Sequence, residues 1–217
     1  MSLSEEVMEL IPQSEAKETF CDFAEIALDS TMDEGVLKDI PVVGTIMKVG
    51  GAVLTIRDRL FIKKLRRFLV SLEDIPNDQR EEFLFKRLGD GPARREVGEK
   101  LLLIIDKQDD FTKTELIGYV FKKYIEGQIS RDDFDLLAHS ISNAHMPDIE
   151  HLQAFTKGLK LGDDALGSAL FAINLAEIKV HVSEAKWDGT ATTQIEYILS
   201  NLGVKLANII EEYENKG

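Results

Sequence analysis

Apolar residues recur at helical spacing along most of this chain. Placed at about 100° per residue, Ala16, Phe20, Phe23, Ala24, Ala27 and Leu28 fall on one arc, which predicts an amphipathic helix over 14–30. Ser14 is its candidate N-cap. From Pro41 the pattern stays helical to Leu72, but it changes face on the way. Val42, Ile46, Val49, Val53 and Ile56 share one arc, whereas Phe61, Ile62, Leu65, Phe68, Leu69 and Leu72 share another. Two adjacent glycines, Gly50 and Gly51, separate the halves and are the candidate hinge, with a kink or break expected near Gly50. Asp58 falls inside the apolar arc of the second half. It is a candidate buried acid that needs an arginine or a helix N-terminus as partner.

Shorter helices are predicted over 77–88, 92–107, 112–126, 131–143, 147–158 and 163–174. Thr112-x-x-Glu115 reads as a capping box, and Gly127 as a C-cap. The unbroken run Leu101–Ile105 predicts a helix buried on most sides. Near the C-terminus the period changes. Ile178, Val180 and Val182 alternate, Asp188-Gly189 is a turn signal, and Thr192–Leu199 can return as a second strand. Leu202, Leu206, Ile209, Ile210 and Tyr213 then form a closing helical stripe. The fold class expected is mainly α: a multi-helix bundle with a two-stranded β-hairpin near the C-terminus. A weak boundary divides a region 1–110 from a region 111–217, another weak signal lies near 144–148, and a single domain is left open.

The order of helices, hairpin and helix over about 150–217, with Tyr197-Ile-Leu-Ser-Asn-Leu-Gly203-x-Lys205-Leu206 leaving the second strand, resembles a winged-helix module. That resemblance implies DNA reading by the helix before the hairpin. The residues there oppose it: 161–176 contain no Lys or Arg and begin near Asp163-Asp164, where base and phosphate contact calls for cations or amides. The hairpin, as a wing, offers Lys179, Lys186 and Trp187 against Glu184 and Asp188.

Charge sharpens the picture. The 217 residues carry 39 acids and 26 bases, a net charge of −13, with 11 acids and two lysines in residues 1–40 alone. Residues 41–70 are the exception, with seven bases and one acid. Arg57, Arg59, Lys63, Lys64, Arg66 and Arg67 lie opposite the apolar arc of the second half, and they form the candidate interaction surface. An acidic exterior repels nucleic acid and anionic lipid, so any contact with either has to use this island. The simplest expectation is that the island pairs with the acidic arm 1–40. The functional readings are an acidic partner or an anionic membrane, with the arm as a removable cover.

No set of residues identifies a reaction. One cysteine, Cys21, reads as an inert buried thiol in a reducing compartment. A calcium loop aligned on Gly127 fails because Lys122 and Tyr124 occupy ligand positions. His139, His145 and His151 lack the spacing of a metal-binding helix face. Ser14-x-x-Lys17 has none of the companion motifs of serine–lysine enzymes. Val42–Ile56 is too short to span a bilayer as a helix. The reading is therefore a cytoplasmic, non-enzymatic interaction or regulatory protein that needs no cofactor or metal and contacts another protein. Association with a membrane through 41–70 is the first alternative, and a winged-helix transcriptional regulator is the second. Nucleic acid is the least favoured partner, and homo-oligomerisation is left open.

Overall fold

Ile62, Leu65, Phe68, Leu69 and Leu72 are all buried, and the helix that carries this stripe organises the N-terminal half of the chain. The computed structural model describes residues 2–26, 40, 42–50, 54–89, 91–152, 164–182 and 193–215. The helices before the hairpin are α1 (Leu3–Leu10), α2 (Ser14–Ile26), α3 (Val43–Gly50), α4 (Ile56–Val70), α5 (Asn77–Glu82), α6 (Pro92–Lys107), α7 (Phe111–Ile125), α8 (Arg131–Asn143), α9 (Met146–Glu150) and α10 (Asp164–Ala172). The hairpin strands β1 (Ala176–Val182) and β2 (Thr193–Leu199) follow, and then α11 (Asn201–Glu214). A π-helical turn, Phe83–Arg87, continues α5. The protein is mainly helical with an antiparallel two-stranded hairpin near its C-terminus, as the periodicity predicts.

The helix expected from Pro41 to Leu72 is two helices. α3 is described as far as Gly50, Leu54 and Thr55 are not helical, and α4 begins at Ile56. Pro41 and Gly51 lie outside the described residues. Thr55 makes the second start: its backbone is extended, and its hydroxyl accepts the amide of Asp58. α1 is a helix that the apolar pattern did not announce, yet Ser2-x-x-Glu5 is a capping box there, closed in both directions. Thr112-x-x-Glu115 carries the same signature and does not cap. Asp110 takes the N-cap of α7, accepting the Thr112 amide at 2.7 Å, and Thr112 lies inside the helix. Gly127, with φ of 74°, does end α7: the Gln128 amide reaches the Lys123 carbonyl and the Gly127 amide that of Tyr124.

The chain divides after Ser130 into two compact units, rather than after residue 110. The reason is the packing of α7 on α4 within the first unit. The two approach so closely that a Cβ on Gly118 would overlap the Ser71 hydroxyl and stand 3.0 Å from the Phe68 carbonyl oxygen. Phe68, Phe83, Phe121 and Tyr124 fill the space beside that crossing, with ring centroids 5.0 to 5.9 Å apart. α1 lies on α6 across Gly98, where a Cβ would stand 2.8 Å from Met8 Cγ. The run Leu101–Ile105 is covered on one side only. Leu101 and Ile105 are buried, but Leu103 is 72% exposed, because α6 presents its opposite face to solvent.

In the second unit, Ile178 stands opposite Tyr197 and Val180 opposite Ile195. The Tyr197 ring lies against Gly167 of α10, with its centroid 6.3 Å from that of Phe171. Ser140 donates to the Ile173 carbonyl at 2.6 Å, and Lys205 pairs with Asp133 at 2.7 Å, tying α8 to the end of α10 and to α11. Ser200 caps α11 and donates to the Asn174 carbonyl at 2.7 Å. The expected helix ends near 30 and 158, and the loop residues Glu184, Lys186, Trp187 and Asp188, lie outside the described residues.

Candidate interaction surface

α4 buries Ile62, Leu65, Phe68 and Leu69 on one side, because these apolar residues repeat every third or fourth position, and carries most of its charges on the other. Asp58 belongs to neither side. It is half-exposed, not buried, and its carboxylate accepts the Thr55 amide at 2.8 Å and the Thr55 hydroxyl at 2.6 Å. Its position on the apolar arc carries no burial cost, because at the third residue of a helix an acid folds back on the N-cap. Of the two partners expected for it, the helix N-terminus is the one found.

The cations of α4 take their partners chiefly from α6 and α7. Arg57 pairs with Asp106 at 2.6 Å, and the ammonium of Lys64 donates to the Asp106 carbonyl at 2.8 Å. Arg67 pairs with Glu115. Lys63 sits 4.7 Å from the centroid of the Phe111 ring. Arg66 donates to the Cys21 carbonyl at 3.1 Å, a backbone contribution from the acidic arm. Two carboxylates of that arm act elsewhere: Glu5 pairs with Arg95 at 2.8 Å, and Glu6 accepts the Val42 amide and the Thr45 hydroxyl. Arg59 is half-exposed.

The six candidate residues thus share one helix but not one environment. Lys63, Lys64 and Arg66 are half-buried under neighbours, whereas Arg57 keeps 81% of its side chain exposed despite its ion pair. Beside Arg57, Ile56 is 80% and Leu60 45% exposed. Leu103, also exposed, lies one turn before Asp106, which both Arg57 and Lys64 contact. The start of α4 and the end of α6 therefore present bare aliphatic side chains beside Arg57 and Arg59, with Asp58 and Asp106 also half-exposed there. Sequence reasoning missed this apolar component. It assigned Ile56 to the arc of the preceding segment and Leu103 to a buried run. The signal available was Thr55-x-x-Asp58: a helix that starts there leaves Ile56 in an uncovered first turn.

Other candidates are accounted for by packing. Cys21 is buried, and burial pushes its thiol above the usual range. Lys122, almost wholly buried, pairs with Asp74 at 3.2 Å, which gives that residue of the calcium-like stretch a structural partner. His139 lies 3.3 Å from the Asn143 amide, and His151 lies against the Pro147 carbonyl. Among the described residues no group of three or more His, Cys, Asp or Glu side chains is placed to hold a metal ion. Among the same residues no helix is long and apolar enough to cross a membrane. Comparison with protein-family models, with curated proteins and with solved structures finds no match to this chain.

Proposed function

We propose that this chain is a non-enzymatic interaction protein that acts by contact through the start of α4, and that its partner is negatively charged. The observation that carries the reading is the pairing of Ile56, 80% exposed, with Arg57, 81% exposed, on a protein of net charge −13. Bare aliphatic side chains mark contact sites when they cluster. Cations around them select the sign of what binds, and the acidic remainder of the surface excludes other orientations. A role in reading DNA has less support: α10, the helix before the hairpin, has the sequence DALGSALFA, with no Lys, Arg, Asn or Gln.

The test is comparative capture from native lysate with the wild-type chain and with Ile56→Asp/Arg57→Glu. Both positions are exposed, so the variant keeps its fold, which circular dichroism checks. A species held by the wild type and lost by the variant supports the reading. Identical capture by both overturns it.

A further inference from the structure

We infer that the start of α4 and the end of α6 form a docking site for an anionic lipid surface. The inference rests on the reading above that this face is the contact surface, and it names the class of partner. The arrangement fits a bilayer better than an acidic protein for three reasons. The exposed apolar residues are aliphatic and project singly: Ile56 and Leu60 from α4, Leu103 from α6. Protein contact sites are dominated by Trp, Tyr and Arg anchors in packed pockets, whereas insertion into a headgroup layer needs only aliphatic side chains that reach past their helix. Secondly, the cations beside Ile56 and Leu60 have long side chains, whereas Asp58 is turned onto the Thr55 amide and Asp106 is bound by Arg57. Arg57 is mostly exposed and Arg59 half-exposed, so both guanidiniums can spread among headgroup phosphates while the aliphatic tips go deeper. Thirdly, the positive sign is local. Residues 56–70 hold six bases and one acid in a chain of net charge −13, and Asp106, the acid that α6 brings to them, is already bound by Arg57, so an anionic plane attracts this face and repels most of the rest. That opposition orients the protein on the surface and makes its attachment weak, reversible and sensitive to salt.

The site is held in shape from within. Asp106 joins the two helix ends through Arg57 and through its carbonyl to Lys64, and Thr55 with Asp58 fixes the first turn that carries Ile56 and Arg57.

Sedimentation of the full chain with vesicles tests the inference. Vesicles made of equal parts phosphatidylglycerol and phosphatidylcholine are compared with pure phosphatidylcholine, at low and at physiological salt. The wild type is expected to sediment with the anionic vesicles, less at higher salt, and to stay in solution with the neutral ones. Ile56→Asp/Leu103→Asp and Arg57→Glu/Arg59→Glu are each expected to weaken partition by about tenfold or more, with folding unchanged by circular dichroism. No sedimentation of the wild type at low salt, or sedimentation that both variants retain, overturns the lipid assignment. Lysate capture separates the two levels. If vesicles fail while capture still depends on Ile56 and Arg57, the contact surface stands and its partner is a protein. If both fail, the contact surface falls as well.

Discussion

The guanidinium of Arg87 closes the C-terminal end of the helix that carries Tyr124. It donates to the carbonyls of Tyr124 and Ile125, at 3.0 and 2.9 Å, and its centre lies 5.2 Å from the centroids of both the Tyr124 and Phe83 rings. Three effects coincide there: orphan carbonyls at a helix end gain donors, a cation meets the negative end of the helix dipole, and a planar group covers two aromatic faces. The π-helical turn Phe83–Arg87 makes this possible by bringing Phe83 inward and Arg87 to α7 within one segment. Arg87→Ala is expected to destabilise the chain by about 1–3 kcal/mol, the range for charge-assisted hydrogen bonds. Arg87→Lys should recover only part of that, because, although both hydrogen bonds come from one nitrogen, an ammonium cannot lie against the Phe83 and Tyr124 rings as the planar guanidinium does. Urea unfolding of the three proteins measures both differences.

Glu6 holds the start of α3 against α1. Its two carboxylate oxygens accept the Val42 amide at 2.8 Å and the Thr45 hydroxyl at 2.6 Å. Val42 needs such support, since it is β-branched and has φ of 70°, a conformation that costs about 1–3 kcal/mol and persists only where neighbours impose it. Glu6→Ala is expected to loosen α3 first. Amide exchange should accelerate through 42–50 more than in α4, and global stability should fall by about 1–2 kcal/mol. Equal acceleration in both helices would mean that α3 does not open separately.

These two contacts show where the sequence was informative and where it was not. Helix positions followed from period and punctuation: Pro92 at the start of α6 and the apolar stripe of α8 gave the observed bounds. Local chemistry was legible at Gly127, but of the capping boxes the one read, at Thr112, does not cap, and the two that form, at Ser2 and Thr55, went unread. Contacts between residues far apart were not. Nothing in the order of residues links Glu6 to Val42, or Arg57 to Asp106, because those pairings depend on how helices cross. The same limit explains Leu103. A run of five apolar residues states what a helix could bury, not how many neighbours come to cover it. The basic face was legible as a face, but its partners and its exposed aliphatic tip were not.

Glu5 supplies a pH-dependent contribution at α1. The Ser2 amide, then the Arg95 guanidinium, hold its carboxyl below the usual range. For an acid with a depressed folded value, the stabilisation is present above the unfolded value and is lost as pH falls through the folded one. The Glu5 contribution is therefore complete at neutral pH and disappears below the ordinary carboxylate range. The protection of the α1 amides, taken relative to the intrinsic exchange rate at each pH, should fall there on acidification. In Arg95→Ala the midpoint of Glu5, followed by NMR, should move toward the ordinary value but stop short of it, because the Ser2 amide remains. An unchanged midpoint would show that the ion pair makes no contribution.

The left-handed residues that end α7 and α10 give a matched pair of opposite predictions. Gly127 and Asn174 both occupy the position after the helix, with φ of 74° and 64°, and both carry the same two backbone hydrogen bonds. Glycine adopts that conformation without steric cost, and asparagine does so at some expense. Gly127→Ala meets nothing closer than the Arg87 guanidinium at 3.7 Å, so its penalty is conformational: a loss of about 1 kcal/mol is expected. Asn174→Gly should be neutral or stabilising by up to about 1 kcal/mol, since it relieves the strained backbone while the Ser200 hydroxyl still bonds the carbonyl at this position. Asn174→Ala should destabilise, because alanine has neither the freedom of glycine nor the local hydrogen bonding of asparagine. Thermal melts of the three variants rank them. A loss for Asn174→Gly larger than that for Asn174→Ala would mean that the asparagine side chain, not its backbone conformation, holds the corner between α10 and β1.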